Sequence, residues 1–206
     1  MNIQLQNIRV AFADQLLFRD LSMEVQSGEK VWLNAPSGKG KSTILKLIFG
    51  FLQPDKGGVL LNNTDIKAEN IESFRLKMGY IAQSAPLPKG KLDDVLSEIA
   101  SFKGNEHLEI DREAIVKAIE RFHMPAATLE KHTTELSGGE RQRVCFALLT
   151  LLKRKVWLLD EITSGLDLAN SELILREVEE TDATVLITAH DDVWGKINLK
   201  KITLHE

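Results

Sequence analysis

One nine-residue segment constrains the fold more than any other: Ala35-Pro36-Ser37-Gly38-Lys39-Gly40-Lys41-Ser42-Thr43. It lies between the short apolar strand Lys30-Val31-Trp32-Leu33 and a stretch of helical spacing from Ser42 to Phe49, with Gly50 as its stop. Strand, small-residue loop and helix in that order bring backbone N–H groups together on phosphate oxygens, and the helix aims its positive end at them. Lys41 adds a point charge for the β- and γ-phosphates, and the Ser42 hydroxyl is placed to ligate Mg²⁺. Ala35 occupies the first glycine position of the pattern G-x-x-x-x-G-K-[ST], a change that costs little where φ is negative. Lys39 is a second cation in the loop, available to phosphate or solvent.

A second feature belongs with the first. The apolar run Val156-Trp157-Leu158-Leu159 ends in Asp160-Glu161. Two carboxylates at the end of a buried strand are costly unless something offsets their charge. A metal ion beside bound phosphates does so: Asp160 would hold Mg²⁺ through water, and Glu161 would polarise the attacking water.

Further strands are expected at Ile3–Val10, Leu21–Val25, Val59–Leu61 and Met78–Ala82. The continuous apolar runs Val156–Leu159 and Thr184–Thr188 are of the kind that a parallel sheet buries on both faces. Leu92–Ser101 and Arg112–Phe122 have helical spacing, the latter with Ile115, Ala118, Ile119 and Phe122 on one face. They fall in a mostly helical section from about Ser84 to Glu135, with Pro86-Leu87-Pro88 as its candidate hinge. Strands separated by helices predict an α/β core.

The 206 residues suffice for one domain with a packed core. A net charge of −4 argues against a nucleic-acid polymer as partner, because duplex binding leaves a basic footprint. The single cysteine, Cys145, excludes an internal disulfide framework and a Cys-cluster zinc site. A membrane-spanning helix needs about 20 apolar residues; the longest run here is Val144–Leu152, closed by Lys153-Arg154-Lys155. Met1–Val10 contains no apolar signal region.

The most specific segment is Leu136-Ser137-Gly138-Gly139-Glu140-Arg141-Gln142-Arg143. Ser137 reads as an N-cap, and the helix it opens is expected to carry Val144, Ala147, Leu148 and Leu151 on one stripe. Placed just upstream of the acidic strand, this octapeptide resembles the signature of the ATP-binding cassette (ABC) ATPases, and the resemblance covers nearly the whole chain.

The resemblance implies an α/β P-loop NTPase (RecA-like) core with a mainly parallel sheet, an antiparallel β lobe and a helical signature lobe. It implies a single cassette over 1–206, with core and β lobe at about 1–83 and 156–206 and the helical lobe at about 84–155. Gln83 matches the Q-loop glutamine that touches Mg²⁺ and water, and His190 matches the switch histidine near the γ-phosphate. The implied catalytic set is Glu161, His190 and Gln83; the implied metal set is Ser42, Gln83 and Asp160. Phe12 falls where the family stacks an aromatic ring on adenine and joins residues 35–43 in binding ATP. Ser137, Gly138, Gly139 and Glu140 would face the nucleotide of another copy, and Asp167 in Ser164-Gly165-Leu166-Asp167 matches the D-loop at that interface. Gly57–Ile66 resembles the antiparallel lobe, and Pro86–Val95 the segment that faces the permease.

The implied cofactors are ATP and Mg²⁺. The implied partners are a second, identical or related, cassette on ATP binding and integral membrane permease subunits. This places the protein in the cytoplasm, peripheral on the inner face of the cell membrane. Only Asp191–Glu206 follow the switch histidine, which leaves no room for a regulatory domain there. Ala35, Ile162 in place of a common proline, and Leu148-Leu149 in place of an arginine-bearing stretch depart from the family pattern. None removes a charge or hydroxyl that the chemistry uses, so an active ATPase is expected. The competing class is an ABC ATPase with mechanical or regulatory work uncoupled from transport; members of that kind carry coiled-coil or zinc insertions or a second cassette.

The remaining chemistry-bearing side chains read as structural. His107, His123, His132 and His205 have no metal spacing and are expected at the surface or at caps. Cys145, Trp32 and Trp157 are expected to be packed, and Trp194 has no assignment.

Overall fold

The computed structural model describes residues 1–12, 15–36, 38–190 and 192–204. The Ser37 and His205 expectations therefore lie outside the described residues. In chain order the elements are β1 (Ile3–Phe12), β2 (Gln15–Val25), β3 (Lys30–Asn34), α1 (Lys41–Ile48), β4 (Lys56–Leu61) and β5 (Thr64–Asp65). They continue with α2 (Ile71–Arg75), β6 (Met78–Ile81), α3 (Leu92–Ser101), α4 (Arg112–Arg121) and α5 (Gly138–Leu151). The last are β7 (Val156–Asp160), α6 (Leu168–Glu180), β8 (Thr184–Thr188) and β9 (Lys200–Thr203).

Two sheets form. The first is antiparallel, in the order β2-β1-β4-β5. The second is wholly parallel, in the order β6-β7-β8-β3-β9. The parallel strands explain their own composition: successive side chains point to opposite faces, and here both faces are covered. Val156 and Leu158 of β7, Leu186 of β8 and Val31 and Leu33 of β3 join one core with β1 and α1. The alternate residues Trp157, Leu159, Val185, Ile187 and Trp32 join a second core with α3, α4, α5 and α6. The sheet is thus the middle layer of three, and its uninterrupted apolar runs are two half-faces interleaved.

The face expected on α4 is observed: Ile115, Ala118, Ile119 and the adjoining Phe122 are all buried. The stripe expected on α5 is corrected. Val144 and Ala147 are buried, but so are Phe146 and Leu149, while Leu148 and Leu151 are only partly covered. The helix is enclosed on several sides because β6 packs against one flank and Phe122 and Trp157 meet Phe146 edge-on at 5.4 and 5.6 Å on another. A narrow stripe suits a helix with one buried face, which α5 is not. Trp194 is fully buried, its indole N–H donating to Thr163 Oγ1 at 3.1 Å. Among the described residues, no helix is long and apolar enough to cross a membrane.

Candidate functional site

The loop after β3 turns into α1 through Gly40, whose φ of 82° is left-handed. A Cβ there would also lie 2.5 Å from the Phe18 ring, so glycine is required twice over. Gly40 is the N-cap of α1; among the described residues no side chain caps the helix, and no acid lies in its first turn. The leading N–H groups of α1 are therefore free to meet an anion from outside the helix. Ala35 is buried and is not among the described residues with positive φ, which satisfies the condition for alanine at that position.

Lys41 is buried, and its ammonium donates to the carbonyl oxygens of Ala35 at 2.6 Å and Pro36 at 3.2 Å. Burial lowers its pKa from the usual lysine value, an effect opposed by the charges of Glu161 and Asp160. The ammonium also lies 3.1 Å from His190 Nε2. That same nitrogen is 3.3 Å from Glu161 Oε1. It can accept from Lys41 or donate to Glu161, but not both, so the imidazole stands between the cation and the acid.

Asp160, at the end of β7, is only 4% exposed, yet its carboxylate is well partnered. Oδ1 accepts from Ser42 Oγ at 2.8 Å and Thr188 Oγ1 at 2.6 Å, and Oδ2 accepts from the Tyr80 hydroxyl at 3.2 Å. Burial and the neighbouring Asp160 charge raise the Tyr80 pKa, which keeps the phenol a donor. Glu161 follows with φ of 51°, a left-handed conformation that a glutamate adopts at a cost. Its N–H donates to Thr188 O at 2.9 Å, and its Oε2 accepts from Gln83 Nε2 at 2.6 Å. Ser42 with Asp160 presents a hydroxyl and a carboxylate together, the hard-oxygen pair that Mg²⁺ takes when phosphates and water complete its shell. The donor set fits the ion.

Lys41, Ser42, Gln83, Glu161 and His190 share one cleft of about 360 Å³, which Phe12, Gln15, Leu17, Gly38, Gly40 and Thr43 also line. Phe12 is half exposed at its rim. Tyr80 and Thr188, which hold Asp160, are not among the expected site residues. The only signal for them was position, since both sit at or near the ends of apolar runs leading to expected site residues.

The signature segment is elsewhere: among the described residues, none of Ser137, Gly138, Gly139, Glu140 and Asp167 lines the cleft. Ser137 N-caps α5 in a capping box, accepting from Glu140 N at 3.2 Å while its own N–H donates to Glu140 Oε2 at 2.8 Å. Gln142 Nε2 donates to Ser164 O at 3.0 Å, which holds the start of α5 against the loop before α6. Asp167 N-caps α6, accepting from Asn170 N at 2.8 Å. Lys131 donates to Glu140 Oε1 at 2.8 Å, and with the Ser137 N–H it holds the Glu140 carboxyl down at about 2.

A carboxyl depressed on folding stabilises the fold above its unfolded pKa of about 4.5 and loses that contribution as pH falls toward 2. Glu140→Gln keeps the acceptor and removes the charge. We expect it to lower the thermal midpoint at pH 7 by about 2–4 °C. The gap from the parent should close as pH drops below 4.5; a gap independent of pH would show that the charge contributes nothing.

The family model described as ABC transporter matches residues 18–164. The chain is a member of the ABC transporter family. A probable iron export ATP-binding protein, FetA, of Escherichia coli strain K12 is 33% identical to this ABC cassette over 193 residues, covering 92% of this chain and 84% of that protein. The mitochondrial iron-sulfur clusters transporter ATM1 of Debaryomyces hansenii is 32% identical over 189 residues, but this cassette spans only 26% of its length. Among solved structures, a dimeric bacterial ABC transporter cassette superposes with a TM-score of 0.85 at 22% identity, covering 98% of this chain and 94% of that one, a likeness of fold. The expected α/β cassette fold is thereby established, with its parallel core and antiparallel sheet.

Proposed function

We propose that this chain is the ATP-binding and ATP-hydrolysing subunit of an ABC transporter whose membrane-spanning permease is a separate chain. The observation that carries the reading is the convergence of Lys41, Ser42, Gln83, Glu161 and His190 from four separate stretches of sequence on one cleft, with Asp160 bonded to Ser42 beside it and the signature serine capping a different helix. The near end-to-end match to a relative described as an ATP-binding protein of export supports it.

In this reading the N–H groups of α1 and Lys41 bind the ATP phosphates, and Phe12 at the rim stacks on the base. Ser42, Asp160 and Gln83 would hold Mg²⁺, which supplies charge neutralisation on the phosphates when bound. Glu161 accepts the proton of the attacking water. Its position is fixed by Gln83 on one oxygen, while His190 on the other side is within reach of both Glu161 and Lys41. The N-terminus of α5, with Ser137, Gly138 and Gly139, contributes to the site of a second copy in a head-to-tail dimer about a two-fold axis. ATP joins the two copies and hydrolysis releases them.

An apolar groove of about 490 Å³ on the same face as Pro86, Leu87 and Pro88 is the proposed seat of the permease. This puts the working protein on the inner face of the cell membrane. Purifying the tagged protein from membranes in mild detergent tests the transport reading. A polytopic membrane protein is expected to accompany it stoichiometrically; a soluble protein or nucleic acid in its place would contradict the assignment.

A further inference from the structure

Tyr80 belongs to two places at once. It is half-buried on β6, and its hydroxyl donates to Oδ2 of Asp160 at 3.2 Å. Asp160 Oδ1 already accepts from Ser42 and Thr188, so the phenol is the side-chain donor seen on the other oxygen. Without it the carboxylate keeps one tethered oxygen and loses the contact that fixes the other, so its rotation about the Cβ–Cγ bond is less constrained.

The ring of the same residue lines the apolar groove together with Phe49, Phe51, Pro86 and Leu148. The ring lies 5.6 Å from Phe49 and 5.8 Å from Phe51, and those two are 4.7 Å apart. Arg75 clamps the cluster: its guanidinium stands over both Phe rings at 5.5 and 5.2 Å and donates to the carbonyl oxygens of Phe49 at 3.2 Å and Gly50 at 2.9 Å. Phe51 is 58% exposed, so one face of the cluster is open to whatever enters the groove.

The geometry points to Tyr80 as a positioning residue that ties the apolar groove to the metal end of the nucleotide site, its ring reading the groove and its hydroxyl holding Asp160 in the orientation that Mg²⁺ needs. This rests on the proposed function above and deepens it, because it names the side chain by which occupancy of the groove reaches the cation. An aromatic ring is rigid, so a displacement of the ring edge in the groove is carried to the hydroxyl at its far end. Hydrogen bonds to a charged acceptor are strong enough for their loss to register in binding.

The test is binding of a fluorescent N-methylanthraniloyl ATP to the full chain, first in EDTA and then across a titration of free Mg²⁺. Tyr80→Phe keeps the ring and removes the hydroxyl. It should bind the nucleotide in EDTA within about twofold of the parent, and need about tenfold more Mg²⁺ for half-maximal enhancement. Phe51→Ala, at an exposed position, should shift the Mg²⁺ curve the same way by about two- to threefold. A Tyr80→Phe curve that superimposes on the parent, moves to lower Mg²⁺, or loses affinity equally in EDTA would overturn the positioning role. A shift in Tyr80→Phe with none in Phe51→Ala would overturn the tie to the groove. A parent chain that binds no nucleotide at any Mg²⁺ would instead overturn the ATP reading and this inference with it.

Discussion

Glu161→Gln is expected to abolish steady-state ATP turnover while leaving ATP bound. The glutamate is held in the cleft by Gln83 at 2.6 Å on one oxygen and stands 3.3 Å from His190 on the other. Glutamine has nearly the same shape and can keep contacts on both sides, but it cannot take a proton. Removing a general base costs about 10²–10⁴-fold in rate. Its neighbour Asp160 is untouched, and so is the pair it forms with Ser42. The loss should therefore fall on kcat, with nucleotide affinity retained. Release of phosphate followed beside equilibrium binding of labelled ATP separates the two. Turnover within threefold of the parent would show that Glu161 is not the base.

Lys41→Ala should act on the opposite parameter. Among the described residues that line the cleft the ammonium is the one buried cation, and burial already lowers its pKa. A buried charge facing phosphate contributes more than an exposed one, because solvent screens it less. Truncating one partner of such a charged contact costs about 2–5 kcal/mol, so ATP affinity should fall by at least about 30-fold. The fold should survive, since α1 is anchored by the buried Ile44, Leu45, Leu47 and Ile48 rather than by the lysine. Calorimetric titration with ATP checks this; an unchanged dissociation constant would remove the phosphate-binding role from the loop.

What could be read in advance, and what could not, follows from how local each signal is. The loop from Ala35 to Thr43 announces itself because turn, helix start and charge lie within a few residues. Ser137 announces an N-cap for the same reason, and the cap forms, with Glu140 closing a capping box that the structure adds. The strand runs at Val156 and Thr184 were legible because a two-faced sheet leaves no polar alternation.

Asp160 shows the limit. Its three hydroxyl partners, Ser42, Tyr80 and Thr188, come from different parts of the chain, and only the parallel order of β6, β7 and β8 brings the last two together. Asp167 looked like an interface residue alone, yet its carboxylate also opens α6. Trp194 gives no local hint, since it packs into a core built from distant elements and its hydrogen-bond partner Thr163 lies thirty-one positions away. The expected α5 stripe fails because a helix enclosed on several sides carries no single periodic face.

In the proposed function ATP joins two copies of this chain through a shared site, with Ser137 of one copy facing Lys41 and Glu161 of the other. The solution mass of Glu161→Gln by light scattering, with Mg²⁺-ATP and then with Mg²⁺-ADP, tests it most directly. The mass should be twice that of one chain with ATP, that of one chain with ADP, and that of one chain in both when Ser137→Arg is added. A single-chain mass with ATP demonstrably bound, or a dimer unaffected by Ser137→Arg, would contradict it.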